Sequence, residues 1–178
     1  MTRIEALTPA TAKGAAQEML TDLVVRHGQV GSMVATMAHS PAVLGGYLQL
    51  SKAMKRAKLS RRVSELVSIA VHARLGCQLC LDAHIAAARA FGVTDAEITA
   101  ARAGTSADPA VSAMIAIGLA LYGNPTTVTD TQVEELRAFG YTDREIVDAV
   151  GVVALNLLTG AFNLVAGLEP DRPAGNIA

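Results

Sequence analysis

Hydrophobic positions recur every three or four residues along most of the chain, a spacing typical of amphipathic helices. The alternating pattern of strands is nearly absent. Helix starts are marked by capping side chains that stand before a proline, or three residues before a carboxylate or amide. The predicted helices are residues 9–26, 31–38, 41–56, 61–75, 78–91, 95–103, 109–122, 130–138 and 143–167. The pattern therefore predicts an all-α multi-helix bundle with short connections.

A ten-residue pattern occurs twice in the chain. Residues 89–98 read RAFGVTDAEI and residues 137–146 read RAFGYTDREI, which agree at eight of ten positions. Each copy predicts a helix that ends at a glycine and a following helix that begins with a capping box. Duplication and convergent helix-turn-helix signals explain this internal repeat equally well. Since the second copy contains no cysteine, we interpret the repeat as a feature of the fold and not of a reactive site.

The last predicted helix covers nearly all of an apolar segment, residues 146–168, that is long enough to cross a bilayer. Its polar residues fall on one stripe, as expected of a helix that packs against protein and makes hydrogen bonds along one side. These residues are Asp148, Asn156, Thr159 and Asn163. We therefore expect a core or subunit-interface helix and no membrane span, with Asn156 and Asn163 in structural roles.

Length and composition favour one domain. Of the 178 residues, 51% are hydrophobic, 3% are aromatic, and none is tryptophan. Small aliphatic side chains suit closely packed helices. We expect a single domain over residues 1–178, with N-terminal helices in 1–57, the candidate chemistry in 58–100 and C-terminal helices in 101–178.

The charge pattern excludes several partners. Fifteen Lys and Arg residues oppose sixteen Asp and Glu residues, which gives a net charge of −1, and only 17% of residues are charged. No basic surface for nucleic acid or for an anionic membrane is indicated. The N-terminal sequence lacks the apolar run of a secretory signal, so we expect a cytoplasmic protein. A thiol pair in the cytoplasm stays reduced unless it is oxidised and reduced again in a catalytic cycle.

The only cysteines, Cys77 and Cys80, stand at the predicted start of a helix and are followed by His84. A helix N-terminus stabilises a thiolate. The three side chains share one face of the helix, within about 60° of one another. Cysteines three positions apart can close a disulfide after one of them is oxidised to a sulfenic acid, and His84 can take or pass the proton. The pattern therefore favours redox chemistry.

Glu65 lies twelve positions before Cys77, on the preceding predicted helix. Because that helix must turn back before the cysteines, we expect the Glu65 carboxylate near them as the terminal proton acceptor. The alternative is a surface ion pair with Arg61, four positions earlier. His72 falls close to Glu65 on the helical wheel. No role is assigned to the remaining histidines, which are His27, His39 and His72.

Together Glu65, Cys77, Cys80 and His84 form a pattern, Glu-x11-Cys-x2-Cys-x3-His, that resembles the alkylhydroperoxidase D-like branch of the carboxymuconolactone decarboxylase family. The resemblance implies an all-helical fold with subunits assembled as trimers or hexamers. It also implies that Cys80 attacks a hydroperoxide and that Cys77 resolves the oxidised sulfur. In this scheme Glu65 and His84 relay the proton.

The resemblance covers residues 40–98 best and residues 156–169 more weakly. The sequence departs from the family pattern at Leu79, where many active members have a His or a Tyr. The resemblance therefore implies one relay or hydrogen-bond donor fewer beside the second cysteine. The decarboxylase branch generally lacks the cysteine pair, which makes lactone decarboxylation the less favoured activity.

These observations predict a homo-oligomeric thiol peroxidase or disulfide reductase. Its expected partners are a hydroperoxide and a dithiol reductant, either a protein or a small thiol. The redox-active disulfide serves in place of a cofactor, and neither metal, nucleic acid nor membrane is expected. Two alternatives remain open: a metal-binding protein with the ligands Cys77, Cys80, His84 and Glu65, and a family member without catalysis that acts as a binding module.

Overall fold

The computed structural model describes residues 2–170. Within that range the chain forms nine α-helices and one short 3₁₀ helix, and no strand. The helices are α1 (Gly14–His27), α2 (Ser32–Met37), α3 (Pro41–Met54), α4 (Arg61–Leu75), α5 (Gln78–Ala90), α6 (Asp95–Arg102), α7 (Pro109–Gly123), α8 (Asp130–Ala138) and α9 (Asp143–Ala166). The 3₁₀ helix, Pro125–Thr127, follows α7 and was not predicted. The all-α class is confirmed.

The predicted start of the first helix is wrong. Thr8 and Pro9 carry a helix-start signal, but α1 begins at Gly14. The Thr8 amide donates to the Thr11 hydroxyl at 2.9 Å, and the Thr11 amide donates to the Thr8 carbonyl at 3.1 Å. These bonds close an isolated turn, and the positive φ of 55° at Gly14 separates it from the helix.

The internal repeat folds as two copies of one helix-turn-helix. Thr94 caps α6 and Thr142 caps α9, and each bonds a glutamate three residues later. In each copy the arginine that precedes the turn also bonds the aspartate that follows the capping threonine. These pairs are Arg89 with Asp95 at 2.9 Å and Arg137 with Asp143 at 2.8 Å. The two copies of the repeat therefore share these hydrogen bonds as well as their residue identities.

The chain divides into two compact units. One contains the described residues of Met1–Gly46 and Phe162–Ala178, and the other is Tyr47–Ala161. In the first unit, the Arg3 amide donates to the Ala166 carbonyl at 2.8 Å, which ties the N-terminal segment to the end of α9. The expected single domain over residues 1–178 stays a prediction.

Helix α4 is the central helix of the Tyr47–Ala161 unit. Its residues 63–72 are all buried, and it contacts α5, α6 and α7. The Asn156 amide of α9 donates to the Ser68 hydroxyl at 2.9 Å, which is the structural bond expected of this asparagine. Because α4 is covered along most of its length, polar residues on it lie in the protein interior.

Helix α9 is long and apolar enough to cross a membrane by length and composition alone, a test that core helices of soluble proteins also pass. Its Asp148 carboxylate accepts hydrogen bonds from the backbone amides of Lys58 and Leu59, at 2.5 and 3.2 Å. These bonds, like that of Asn156, join the polar stripe of α9 to protein groups. They match the expectation of a helix that packs against protein.

Candidate active site

The turn between α4 and α5 places the two cysteines. Gly76 adopts the left-handed conformation, with φ 79° and ψ 18°, and its amide donates to the His72 carbonyl. Glycine accepts this conformation without a steric penalty, so α4 ends there. Cys77 is the N-cap of α5, and its Sγ accepts a hydrogen bond from the Cys80 amide at 3.4 Å. The cysteines therefore open a helix, as the sequence predicts.

Cys77 and Cys80 form a disulfide. Their Cα atoms are 5.4 Å apart, within the range that a disulfide requires. Both residues are buried, with 2% and 6% of their surface exposed. The structure thus describes the oxidised form of a pair whose backbone spacing permits closure.

Glu65 and His84 are brought together from consecutive helices. His84 Nδ1 lies 2.6 Å from Glu65 Oε2, and the Glu65 side chain is only 2% exposed. The other carboxylate oxygen, Oε1, lies 2.9 Å from the Arg61 guanidinium. The ion pair with Arg61 is therefore present, but the Glu65 carboxylate is buried and not on the surface as the alternative expected, and the pair coexists with the contact to His84. Two partners, one on each oxygen, compensate the cost of burying this carboxylate.

The contact with Glu65 fixes the orientation of the His84 ring. An ionised carboxylate only accepts hydrogen bonds, so Nδ1 donates the proton and Nε2 retains the lone pair. His84 also lies one turn after Cys80 on α5, which puts both side chains on the same helix face. This arrangement can hold and move a proton beside the sulfur atoms.

His72 completes the cluster, although the sequence assigned it no role. It is fully buried, and neither ring nitrogen has a hydrogen-bond partner among residues 2–170. Its ring stacks on that of His84 with centroids 5.0 Å apart. One His72 nitrogen and the sulfur atoms of Cys77 and Cys80 all lie within 4.8 Å of one another. His72 is thus the histidine that faces the cysteine pair.

The surroundings of His72 favour a neutral ring. Burial lowers its pKa from 6.5 to about 4, and the charge of the neighbouring His84 acts in the same direction. The Asn156 side chain opposes this shift without reaching hydrogen-bond geometry. At neutral pH, His72 therefore offers a lone pair and carries no charge.

A glycine on α9 makes room for the His72 ring. A Cβ atom at position 160 would lie 3.1 Å from His72 Cε1 and 3.2 Å from His72 Nδ1, and it would collide with Leu75. The absence of a side chain at Gly160 thus permits the observed ring position. The sequence signal for His72 was its place two turns after Glu65, but only the fold shows that it meets the sulfur atoms.

The four-ligand metal site considered from the sequence is not the group that the structure assembles. Among residues 2–170, the His, Cys, Asp and Glu side chains close enough to share an ion are His72, Cys77 and Cys80. Glu65 and His84 are engaged with each other instead. Leu79 is partly buried and supplies no polar side chain.

Comparison with known proteins shows what the chain resembles. Residues 41–121 match the Carboxymuconolactone decarboxylase family. No curated protein matches the chain. A crystal structure titled alkylhydroperoxidase AhpD core, from an uncharacterized peroxidase-related protein of Ralstonia eutropha JMP134, has a TM-score of 0.80 and 20% identity. That likeness covers 96% of this chain and 92% of the other.

Two further solved structures have the same fold. An uncharacterized peroxidase-related protein from Silicibacter sp. TM1040 has a TM-score of 0.75 and 19% identity, over 96% of this chain and 95% of the other. A variant of the debrominase Bmp8, in complex with 2,3,4-tribromopyrrole, has a TM-score of 0.72 and 16% identity, over 95% and 91%. At these identities the likeness concerns the fold. The family match spans Glu65, both cysteines and His84, and over that region the chain is similar to the carboxymuconolactone decarboxylase/alkylhydroperoxidase D-like family.

Proposed function

We propose that the protein is a thiol-dependent peroxidase or disulfide reductase that cycles through the Cys77–Cys80 disulfide. The observation that carries this proposal is the contact between the buried Glu65 carboxylate of α4 and His84 of α5, because α5 also carries the cysteine pair that is able to close a disulfide. The peroxidase-related proteins of the same fold support it at the level of the family. The reductant is an external dithiol, and the chain requires no other cofactor.

The first step uses Cys80 as the nucleophile. His84 Nε2 takes the proton of the Cys80 thiol, and the thiolate attacks the distal oxygen of the hydroperoxide. The O–O bond breaks, Cys80 becomes a sulfenic acid, and the leaving alkoxide receives the proton back from His84 as it becomes an alcohol. Glu65 holds the ring in the required orientation and stabilises the imidazolium through its negative charge.

The second step closes the disulfide. The Cys77 thiol loses its proton to His84, and its thiolate attacks the Cys80 sulfur. The S–S bond forms, and hydroxide leaves as water after it receives that proton. The Cys80 amide, which bonds the Cys77 sulfur at 3.4 Å, favours negative charge on that atom. An external dithiol then returns two electrons and two protons, and is itself oxidised to a disulfide.

Arg61 supports the relay from the outer side of Glu65. Its guanidinium lies 2.9 Å from Glu65 Oε1 and 5.8 Å from the centre of the Phe91 ring. These contacts hold a positive charge beside the buried carboxylate of Glu65. Glu65 accepts the hydrogen bond from Nδ1 of His84, which leaves Nε2 as the base.

We also propose that the protein is a cytoplasmic homo-oligomer, a trimer or a hexamer. In the Tyr47–Ala161 unit, helix α9 exposes Val147 and Val150, and apolar side chains of this kind are commonly covered in oligomers. Light scattering coupled to gel filtration tests the assembly. A monomeric mass at micromolar concentration would contradict it.

The experiment that tests the activity follows the oxidation of a dithiol after a hydroperoxide is added. The unsubstituted chain should show peroxide-dependent turnover, and Cys80→Ser should abolish it. Cys77→Ser should accumulate a sulfenic acid on Cys80 that a dimedone-type reagent captures. His84→Asn should lower the rate, whereas the matched change His27→Asn, on an exposed residue of α1, should not. Full activity in Cys80→Ser contradicts the proposal.

The same assay separates the two versions of the proposal. Replacing the hydroperoxide by a small disulfide asks whether the chain reduces disulfides. Turnover with disulfides alone identifies a disulfide reductase, and turnover with hydroperoxides identifies a peroxidase. Turnover with neither substrate rejects both.

A further inference from the structure

We propose that the reduced chain binds one divalent thiophilic cation of the zinc class through Cys77 Sγ, Cys80 Sγ and a ring nitrogen of His72. This ligand set differs from the one considered from the sequence, in which Glu65 and His84 complete the site. It does not depend on whether the chain reduces hydroperoxides, because it requires only free thiols.

The positions of the three ligand atoms suit such a cation. They lie within 4.8 Å of one another. A tetrahedral zinc site, with Zn–S of about 2.3 Å and Zn–N of about 2.0 Å, separates its ligand atoms by roughly 3.5–3.8 Å. Reduction releases the two sulfur atoms, which can then move apart by side-chain rotation. The Cys-x2-Cys spacing is one that zinc sites commonly use, so little backbone movement is required.

The state of His72 provides an independent argument. Buried polar groups are hydrogen-bonded in the great majority of cases. The His72 ring is fully buried, yet both its nitrogens lack a hydrogen-bond partner in the described part of the chain. A cation held with the two sulfur atoms would satisfy one of these nitrogens. His84 is not part of this group: among the described residues, the histidine whose ring nitrogen lies close to both sulfur atoms is His72.

Charge balance favours a divalent ion. Two thiolates and one neutral imidazole carry a charge of −2, so a divalent cation gives a neutral complex, whereas a monovalent one leaves a net charge. Both cysteines and His72 are buried, and a buried net charge is costly. Sulfur and imidazole ligands suit zinc, and hard oxygen-seeking cations are disfavoured. Since the chain supplies three ligands, water or an external thiol would take the fourth position.

Cation binding and disulfide formation exclude each other. Binding to two thiols releases two protons, and the metal undergoes no redox change. In the disulfide both sulfur atoms are bonded to each other and neither is a thiolate, so the oxidised pair cannot hold the ion. Two-electron oxidation of the pair would therefore expel the cation, and occupancy would protect the thiols.

The test uses the full chain, reduced with a trialkylphosphine that becomes the phosphine oxide and is then removed without air. Co²⁺ is the optical probe, since thiolate coordination gives charge-transfer bands, and Zn²⁺ is then added to displace it. The reduced chain should bind one ion, and the oxidised chain none. Cys77→Ser, Cys80→Ser and His72→Asn should each weaken binding at least ~10-fold. Glu65→Gln and His84→Asn should leave the affinity unchanged and thereby exclude the alternative ligand set.

Any of three results would overturn this inference. The first is that a chain whose thiols are shown to be free takes up no cation. The second is that the oxidised chain takes up as much cation as the reduced chain, and the third is that His72→Asn leaves the cation affinity unchanged. Should His72→Asn fail to fold, ¹⁵N-histidine NMR of the unsubstituted chain replaces it. Of the four histidines, only His72 should shift its ring-nitrogen resonance when Zn²⁺ is added. Its assignment is made with His27→Asn, His39→Asn and His84→Asn. An unshifted His72 resonance would also overturn the site.

Discussion

Glu65 Oε2 lies 2.6 Å from His84 Nδ1, although the two residues are 19 positions apart and on different helices. The contact forms because α4 ends at Gly76 and α5 packs back against α4. Glu65 is buried on α4, whereas His84 is partly exposed on α5, so the pair leads from the interior toward solvent. This geometry is what allows a proton to be held and passed near the cysteines.

Glu65→Gln should lower kcat/KM for a hydroperoxide by about 10²-fold, within the usual range for loss of acid–base assistance. Glutamine preserves the size of the side chain but removes the negative charge that orients and stabilises protonated His84. Glu134→Gln, on an exposed residue of α8, is the matched control and should retain the activity. Equal kcat/KM values for the two variants would remove Glu65 from the relay.

Burial of His72 should make the stability of the oxidised chain depend on pH. The pKa of His72 is about 4 in the folded chain, against an ordinary value of 6.5 for histidine. Between these values the unfolded state binds the extra proton, so the free energy of unfolding falls as the pH falls from 6.5 to 4 and is fully retained above 6.5. The loss should be on the order of 3 kcal/mol.

Urea unfolding of the unsubstituted chain and of His72→Asn, followed across this pH range, measures that contribution. Other groups also titrate between pH 6.5 and 4. The contribution of His72 is therefore the difference in the free energy of unfolding between the two chains. The unsubstituted chain should lose more stability than His72→Asn as the pH falls. Identical slopes would show that His72 does not contribute in this way.

Gly160→Ala should destabilise the chain relative to Gly46→Ala by roughly 1–3 kcal/mol. Both glycines lie within helices, so alanine brings a similar gain in helix propensity at each position. At position 160 the new methyl group meets His72 and Leu75, whereas position 46 has no atom within 4 Å of a Cβ. Thermal unfolding of the two variants compares them. Equal stabilities would show that the ring of His72 moves without cost.

Removing the caps of the two repeat copies should have similar effects. Thr94→Ala and Thr142→Ala should each lower the free energy of unfolding by about 1 kcal/mol, because each leaves helix amides without a partner. The two caps share no hydrogen bond, so the double variant should show the sum to within about 0.5 kcal/mol. Thr21→Ala, exposed in the middle of α1, is the control. Denaturant unfolding measures all four chains, and a negligible effect at either cap contradicts an equivalent role.

Most of the fold could be predicted because its signals are local. Capping threonines, the proline after Asp108 and the glycine at position 76 set helix ends through bonds between near neighbours. Eight of the nine helices begin within one residue of the predicted position. The failure at Pro9 has a local cause as well, since Thr8 and Thr11 satisfy each other in a turn of their own.

The site could be predicted only in part, because some of its contacts join side chains of different helices. Spacing on one helix placed Cys77, Cys80 and His84 together, and the turn expected before the cysteines placed Glu65 near them. A surface ion pair with Arg61 was the alternative to a proton-acceptor role for Glu65, yet the contacts with Arg61 and His84 coexist on the two oxygens of a buried carboxylate. His72 was missed because its nearness to the sulfur atoms depends on the packing of α4 against α5.

The central claim, that Cys80 is oxidised by a hydroperoxide and resolved by Cys77, is tested most directly in a single turnover. The fully reduced chain is mixed with one equivalent of hydroperoxide, and peptide mass spectrometry follows the Cys77–Cys80 disulfide with time. We expect one disulfide per chain at the expense of the peroxide, slower formation in His84→Asn, and none in Cys80→Ser. Thiols that survive in the unsubstituted chain, or peroxide consumed equally fast by Cys80→Ser, would contradict the account.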